Sequence, residues 1–274
     1  MPVLIFTSSN EASRNIADKL IRYYGFSSKK KTKTSESWIK NGIILFDSKS
    51  PTVLDIPTNF ETDLLLVLSS HKSRSAMPCL TAHIPGNWNN AELGGEPYTL
   101  NIAHAVMLKI LIQELDKSKR KARLEWQLCL ESDHHGPTCR IPIIFVEIGS
   151  SEKEWNNESA GMVVAEAVSN ALAALEKYKG TSSSMMQHKT AIGFGGGHYA
   201  KEFTKMVLEW DTTIGHICPK YSLDQLNEDM FKQAMDRNIG KADRIIILRE
   251  GTNASQKKKL EEMADKFGLL KETI

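Results

Sequence analysis

The sequence predicts an α/β fold, with a mixed, mostly parallel sheet that carries helices on both faces. Short apolar runs of strand length alternate with longer segments of helical spacing along the 274 residues. Such alternation is typical of parallel strands joined by crossover helices. The chain is 41% hydrophobic and 25% charged, a composition that argues against extensive disorder.

The first half of the chain contains four predicted strands and two predicted helices. The N-terminal apolar run is followed by Ser8, Ser9 and Asn10, which can cap a helix that ends near Tyr24. The second helix is predicted from the apolar spacing of residues 102–115. The strands are predicted at residues 3–6, 43–46, 64–68 and 124–130.

The second half repeats the pattern, with strands predicted at residues 141–148, 190–193, 213–218 and 245–248, and helices near residues 160–175, 223–235 and 254–267. A further helix should begin near Tyr199. The polar stretch 179–189 is the best linker candidate. The α/β pattern continues unchanged across it, so we expect a loop within one catalytic domain that spans residues 1–274.

Charge and cysteine content restrict the classes of partner and compartment. The formal net charge is +2, so nucleic-acid affinity must come from local basic patches. The longest apolar run, residues 64–68, is too short to span a bilayer, and the N-terminus resembles a strand rather than a signal peptide. The four cysteines form no C-x-x-C pair. We therefore expect reduced thiols, a cytoplasmic location, no membrane association and, as the favoured oligomeric state, a monomer.

Polar residues follow several of the predicted strands, at the edge of the sheet where ligands bind in open α/β folds. Six of the eight histidines fall near strand exits or in polar loops. The residues of interest are His71, His83, Glu131, Asp133, His134, His135, Glu147, His198 and His216.

Neutral imidazoles and carboxylates are the usual ligands of catalytic zinc, which keeps one coordination position open for water. We predict that His134, His135 and His198 bind zinc, and that Glu131, Glu147 and His71 carry the catalytic roles. The spacing matches no standard zinc motif, and H-E-x-x-H is absent. The alternative is that several of these histidines cap strands or form hydrogen bonds in loops.

A glycine-rich run, residues 193–197, lies between a predicted strand and a predicted helix. It is neither a P-loop nor a dinucleotide fingerprint. We predict that the backbone N–H groups of Gly195, Gly196 and Gly197 bind the substrate, either as an oxyanion or as a phosphate. The alternative is a tight turn that requires positive φ.

Two basic runs, residues 29–33 and 117–123, are expected in a loop or at a helix end. One interpretation is that they contact the phosphate backbone of a nucleic acid. The alternative is a solvated surface, which is what most charge runs form. No G-x-S-x-G elbow occurs. Cys139, close to His134 and His135 in sequence, is more readily explained as a spectator thiol than as a nucleophile.

Several motifs, in this order, resemble the archaeal and plant-type D-aminoacyl-tRNA deacylase family from Val3 to about Cys218. The His-His-Gly-Pro and Gly-Gly-Gly-His-Tyr elements are fairly specific. The matching segments are residues 69–73, 80–83, 86–88, 134–138, 146–150 and 195–199.

The resemblance implies hydrolysis of the ester between a D-amino acid and tRNA, including aldehyde-modified D-amino acids, and a zinc-containing site. It also implies a fold of the phosphorylase/peptidyl-tRNA hydrolase type. From the chemistry, metal-activated water would attack the ester, with Glu131 or Glu147 as proton acceptor. Lys72 and Arg74, beside His71, would bind acceptor-stem phosphates. The alternatives are a zinc-dependent peptidase or amidohydrolase and a non-catalytic RNA-binding module.

Overall fold

The structure is a computed structural model that describes residues 1–32, 35–74, 76–179 and 189–274. Strands and helices alternate along this part of the chain. In chain order the elements are β1 (Val3–Phe6), α1 (Glu11–Tyr23), β2 (Ser27–Lys31), β3 (Glu36–Lys40), β4 (Ile43–Asp47), β5 (Leu65–Lys72), β6 (Cys79–His83), β7 (Gly86–Asn87), β8 (Thr99–Leu100), α2 (Ala105–Lys121), β9 (Gln127–Leu130), β10 (Ile143–Ser150), α3 (Glu152–Trp155), α4 (Glu158–Lys179), β11 (Lys189–Phe194), α5 (Lys201–Glu209), β12 (Thr212–Cys218), α6 (Glu228–Asp236), β13 (Arg244–Ile247), α7 (Ala254–Phe267) and β14 (Leu270–Thr273).

The larger sheet has eight strands in the order β2-β3-β4-β1-β5-β10-β6-β9. Strand β1 is parallel to β4 and β5, and the parallel pairing continues from β5 to β10 and from β6 to β9. Strand β3 is antiparallel to β2 and β4, and β6 is antiparallel to β10. The predicted mixed, mostly parallel α/β class is confirmed.

The C-terminal strands form a second, wholly parallel sheet in the order β12-β11-β13-β14, while β7 and β8 pair separately. The sequence pattern does not distinguish one sheet from two. Helices α2 and α5 contribute to the apolar cluster on one face of this smaller sheet, and α6 and α7 contribute to the cluster on its other face.

The two faces of the large sheet are covered differently. Leu66 and Leu68 of β5 belong to a core that also contains Ile16 of α1, Met107 of α2 and Val164 of α4. The opposite face carries a smaller apolar cluster, whose members in the described part of the chain all come from strands and loops: Val3, Ile5, Ile56, Leu65, Val67, Cys139, Ile143 and Phe145. Polar side chains can therefore occupy this second face without disturbing the packing of a helix.

The predicted elements are found, with differences at several boundaries. The strand predicted at residues 64–68 extends to Lys72, because its polar end still pairs with β10. The basic run 29–33 was expected in a loop, but its first residues lie in β2, an edge strand on which lysine discourages intermolecular pairing. Most of the linker candidate 179–189 lies outside the described residues.

All four cysteines are buried and free, and burial raises the pKa of the Cys139 thiol. A raised pKa makes this sulfur a poor nucleophile, consistent with its predicted role as a spectator. Among the described residues, no helix is long and apolar enough to cross a membrane.

Candidate active site

The candidate site begins on the second face of the large sheet, whose apolar cluster, among the described residues, comes from strands and loops. Residues that pair in register point to the same face of a sheet. His83 of β6 pairs with Phe145, and Glu147 pairs with Ser69, two residues before His71. His71, His83 and Glu147 therefore lie within strands and share one face. The sequence pattern placed His71 beyond the end of its strand and Glu147 near the end of its own.

The remaining site residues come from loops that follow strands of both sheets. Glu131 follows β9 and bridges to Tyr199, while the amide of Ser132 donates to the carbonyl of His198 at 2.9 Å. His135 adopts φ of +47°, a conformation that a residue with a side chain takes up at some energetic cost. The following Gly136 packs so closely on Gly95 that a Cβ would meet its nitrogen at 2.4 Å. These contacts fix the loop that carries His134 and His135.

Glu131 is the centre of the cluster. Its side chain is fully buried, with Oε1 3.0 Å from Nδ1 of His71 and Oε2 3.2 Å from Nε2 of His198 and 3.5 Å from Nε2 of His134. Burial alone would raise the pKa of this carboxyl group, but contacts with His198 and His71 hold its pKa well below the usual range. Glu131 is therefore a buried carboxylate surrounded by imidazoles.

His71 lies between the two carboxylates of the site. Its Nδ1 is 3.0 Å from Glu131 and 3.6 Å from Glu147, and its Nε2 is 2.7 Å from the hydroxyl of Tyr199. Burial lowers the pKa of His71, but hydrogen bonds and charge interactions with Glu131 and Glu147 outweigh that effect and raise the pKa to about 12. His71 is therefore a buried imidazolium that can donate protons from both ring nitrogens.

His83, His134 and His135 have the opposite protonation state. Burial lowers the pKa of His83 well below its usual value, and burial lowers the pKa of His134 and of His135 to about 4. Nδ1 of His134 lies 2.8 Å from the carbonyl of Ser132, and Nδ1 of His135 contacts the carbonyl of Gly136. A carbonyl only accepts hydrogen bonds, so the single N–H of each neutral ring is at Nδ1. Nε2 of each ring therefore carries a free lone pair.

These residues fit a metal ion. Nε2 of His134, an acceptor in this tautomer, lies 3.5 Å from Oε2 of Glu131, so the cluster offers unprotonated nitrogen and oxygen atoms of the kind that bind a cation. Neither ring nitrogen of the buried His83 has a hydrogen-bond partner in the described part of the chain. Possible ligand atoms lie within 4.8 Å of one another in three sets, namely His83, His134 and His135; His71, Glu131 and His198; and His83, Glu131 and Glu147. Backbone carbonyls that fix the other nitrogen of a histidine are typical of zinc sites.

A family model described as D-aminoacyl-tRNA deacylase matches residues 58–271. The chain belongs to the D-aminoacyl-tRNA deacylase family. Relatives named D-aminoacyl-tRNA deacylase include one from Pyrococcus horikoshii, 33% identical over 282 residues, and one from Thermococcus onnurineus, 32% identical over 280 residues. Each alignment covers 98% of this chain and 98% of the relative.

A solved structure has the same fold as this member of the deacylase family. It is the crystal structure of a conserved protein of unknown function, with a TM-score of 0.87 and 27% identity, and the match covers 100% of this chain and 95% of the other. The family resemblance identified from sequence motifs is thereby confirmed. The further likeness to the phosphorylase/peptidyl-tRNA hydrolase type stays a prediction.

In this deacylase-family chain, the three predicted zinc ligands are near one another but divide between two of the ligand sets. His134 and His135 group with His83, whereas His198 groups with His71 and Glu131. No role was predicted for His83. His83 ends β6 and lies on the same face as Glu147 of β10. The sequence pattern did not identify β6 as a strand, so it could not place His83 beside Glu147.

Two candidates from the sequence have structural roles instead. The carboxylate of Asp133 lies 2.7 Å from Nδ1 of His216 and accepts the amide of Ile217 at 3.0 Å. The other ring nitrogen of His216, Nε2, lies 2.9 Å from the carbonyl oxygen of Arg237. Asp133 and His216 form a buried hydrogen-bonded pair that joins the loop after β9 to β12, so neither is free to bind a metal.

The predicted substrate-binding residues lie in the glycine-rich run and at the end of β5. The amide of Gly195 donates to the carbonyl of Cys218 at 2.9 Å, so it is not free to bind an oxyanion. Gly195 and Gly196 have φ of +105° and +77°, which explains why glycine occupies these positions. Lys72 and Arg74 are exposed at the end of β5, and their contact with phosphate stays a prediction.

A cavity of about 350 Å³ opens directly onto His134 and His135. Its wall is formed by amide and aromatic side chains, including Asn87, Trp88, Asn90, Tyr221 and Gln225, with the carboxylate of Glu92 at its side. The lining is mostly uncharged, and the volume is in the range of small-molecule sites.

Proposed function

We propose that this chain hydrolyses the ester bond of D-aminoacyl-tRNA and releases a D-amino acid and free tRNA. Membership of the deacylase family supports the reaction class. The observation that carries the proposal is the buried Glu131 carboxylate, which three histidines contact at 3.0–3.5 Å beside an open cavity. We place this activity in the cytoplasm, where it would serve translation quality control by acting on D-aminoacyl-tRNA.

We propose zinc as the cofactor, held by His134 and His135 together with His83. The free lone pairs on the two loop histidines and the unpartnered nitrogens of His83 support this set. His198, the third ligand predicted from the sequence, groups with His71 and Glu131 rather than with the other two. When bound, zinc supplies Lewis-acid polarisation of the ester carbonyl and lowers the pKa of an attacking water.

Glu131 is the proton acceptor in this proposal. Its pKa is held low, so it is ionised at neutral pH and can take a proton from the water that attacks the carbonyl carbon. The water oxygen bonds to that carbon, and the bond from the carbon to the ribose oxygen then breaks. His198 has a side chain that is 34% exposed, which lets its ring reach both the substrate and Glu131.

His71 and Tyr199 act on the leaving group. The ribose oxygen departs as an alkoxide and requires a proton. The imidazolium of His71 can supply one through the hydroxyl of Tyr199, 2.7 Å from Nε2. Glu147 holds the charge on His71 from the opposite side of the ring, which makes Glu147 a positioning residue in this scheme.

The cavity next to His134 and His135 would accept the aminoacyl group. The two enantiomers share the ester and every phosphate, so selection must arise from a fixed anchor for the α-amine and a wall against the L side chain. Glu92 and the amide side chains of Asn87 and Asn90 are the polar groups of this cavity that could hold the ammonium. Asp133 also lines this cavity, but its carboxylate is committed to His216 and is not available to hold the ammonium.

The decisive experiment is paired deacylation of D-tyrosyl-tRNA and L-tyrosyl-tRNA across an enzyme titration. We expect the D-substrate to be cleaved far faster. Equal rates would refute a D-specific deacylase and would favour a general esterase.

Two other functions remain separable from this one. A zinc-dependent peptidase or amidohydrolase would use the same histidines, and it would cleave a D-amino-acid peptide faster than D-tyrosyl-tRNA. A non-catalytic RNA-binding module would retain its whole function in Glu131→Gln. We expect this substitution to abolish deacylation and to leave tRNA binding intact.

A further inference from the structure

We propose that a second cavity, lined by Lys201, Lys220 and Arg249, binds a phosphodiester of the 3′-terminal nucleotides of the substrate. This inference rests on the proposed deacylase function and adds the direction from which the RNA enters. It concerns residues outside the histidine and glutamate cluster. We call this cavity, of about 620 Å³, the cationic cavity.

The cationic cavity lies at the carboxyl ends of the smaller sheet. Lys201 begins α5 after β11, Lys220 follows β12, and Arg249 follows β13. Three cations from three separate connections therefore meet at one opening. Ligands of parallel α/β sheets bind at this edge, where the connections leave the strands.

None of these three cations forms an ion pair with a carboxylate within the part of the chain that the structure describes. The basic run at the end of α2 shows the contrasting case. Lys117 lies 2.6 Å from Glu114, and Arg120 lies 2.8 Å from Asp116. Cations that are already paired have less to gain from phosphate, which favours the cationic cavity over these two residues as a site for RNA.

Two carboxylates, Glu202 and Glu250, also line the cationic cavity. The side chains therefore supply three positive charges against two negative ones.

Gly197 provides an independent indication of a ligand. A Cβ built on Gly197 meets nothing within 4 Å, and its φ is not positive, unlike those of Gly195 and Gly196. Neither crowding nor backbone conformation within the protein requires glycine at this position. Glycine is also selected where a ligand must approach the backbone closely, and Gly197 lines the cationic cavity.

Tyr199 connects the cationic cavity to the proposed chemistry. Tyr199 lines this cavity, and its hydroxyl lies 2.7 Å from Nε2 of His71. In the substrate a single ribose separates the ester from the nearest phosphate. The RNA would therefore approach from the smaller sheet, with its last phosphodiester over the three cations and its aminoacyl group directed to the cavity beside His134.

The test measures binding of deacylated tRNA as a function of salt for Lys220→Gln and Arg249→Gln, with Lys117→Gln as the matched control. Deacylated tRNA carries no ester, so the measurement is independent of the chemistry. We expect each cavity variant to flatten the slope of log affinity against log salt by about 0.7, the value for a contact with a single strand, and the control to leave it unchanged. Unchanged slopes in both cavity variants would overturn the proposal.

Gly197→Ala tests the cavity without changing charge. Because the added methyl group enters open space, the thermal unfolding midpoint should stay the same, whereas tRNA affinity should fall by about tenfold through lost backbone contact. Unaltered affinity would contradict the proposed approach of phosphate. If the wild-type chain does not cleave D-tyrosyl-tRNA but the slopes flatten as expected, the deacylase function is refuted and the RNA-binding site is supported.

Discussion

The hydroxyl of Tyr199 lies 2.7 Å from Nε2 of His71, and this contact joins the two sheets at the candidate active site. His71 belongs to β5 of the larger sheet, while Tyr199 follows β11 of the smaller one. Glu131, which follows β9, contacts the other nitrogen of the same ring. One imidazolium thus connects a carboxylate suited to accept a proton with a hydroxyl suited to donate one.

Removing this hydroxyl should impair the chemical step. We expect Tyr199→Phe to lower kcat for D-tyrosyl-tRNA by about 100-fold with little change in KM, because assistance to the leaving group is lost while the ring remains. Single-turnover rates at saturating enzyme give the measurement. Tyr23→Phe, on the exposed surface of α1, is the control. An unchanged kcat in Tyr199→Phe would remove this residue from the mechanism.

The proposed ligand set predicts where zinc is lost. We expect purified protein to contain about one or two zinc ions per chain, and His83→Gln and His134→Gln to lose most of the metal, since each removes a neutral imidazole. Elemental analysis measures the content. His104→Asn is the control, because His104 caps α2 and asparagine can accept the same amide hydrogen bond. If the wild-type protein remains active after exhaustive chelation and contains no transition metal, the zinc proposal is refuted.

The lowered pKa values predict loss of stability in mild acid for the metal-free protein. The pKa of His134 and of His135 is about 4 in the folded chain, against about 6.5 for an unperturbed histidine. Between these values the unfolded chain binds more protons, so the free energy of unfolding falls as pH drops from about 6.5 to about 4. The raised pKa of His71 acts in the other direction, but its contribution is already complete below about pH 6.5.

Urea unfolding at pH 7 and pH 5 in the presence of chelator measures this effect. His135→Asn should reduce the difference between the two conditions, because one protonation site of the unfolded chain is removed. Equal stability of the metal-free wild-type chain at both pH values would show that these imidazoles are not held neutral by the fold.

The buried pair of Asp133 and His216 should contribute to stability. We expect Asp133→Ala to lower the free energy of unfolding by about 3–5 kcal/mol, because it leaves His216 and the amide of Ile217 without their acceptor. Asp116→Ala, which breaks an ion pair with the exposed Arg120 within one helix, should cost at most about 1 kcal/mol. Urea unfolding measures both changes in the free energy of unfolding. If Asp133→Ala costs no more than Asp116→Ala, the buried pair contributes no more than a surface ion pair.

The sequence by itself determined the α/β class, most of the strands and helices, and the family. Local periodicity carries this information, as in α7, which spans the residues that the apolar spacing predicted. Glu131, His134, His135 and His198 could also be selected from the sequence, because polar residues that follow apolar strands have few structural reasons to be there.

Only the tertiary structure decided how these residues combine. His83 and His71 lie within strands, and the pairing of β6 with β10 and of β10 with β5 brings them onto one face with Glu147. Such register is a long-range property that local spacing does not encode. The role of each charged residue likewise depends on long-range contacts. Asp133 and Glu131 are both buried carboxylates, but Asp133 is committed to His216, whereas Glu131 contacts three histidines of the site. Lys117 is paired with Glu114, whereas Lys220 forms no ion pair among the described residues, so partners set the role of each.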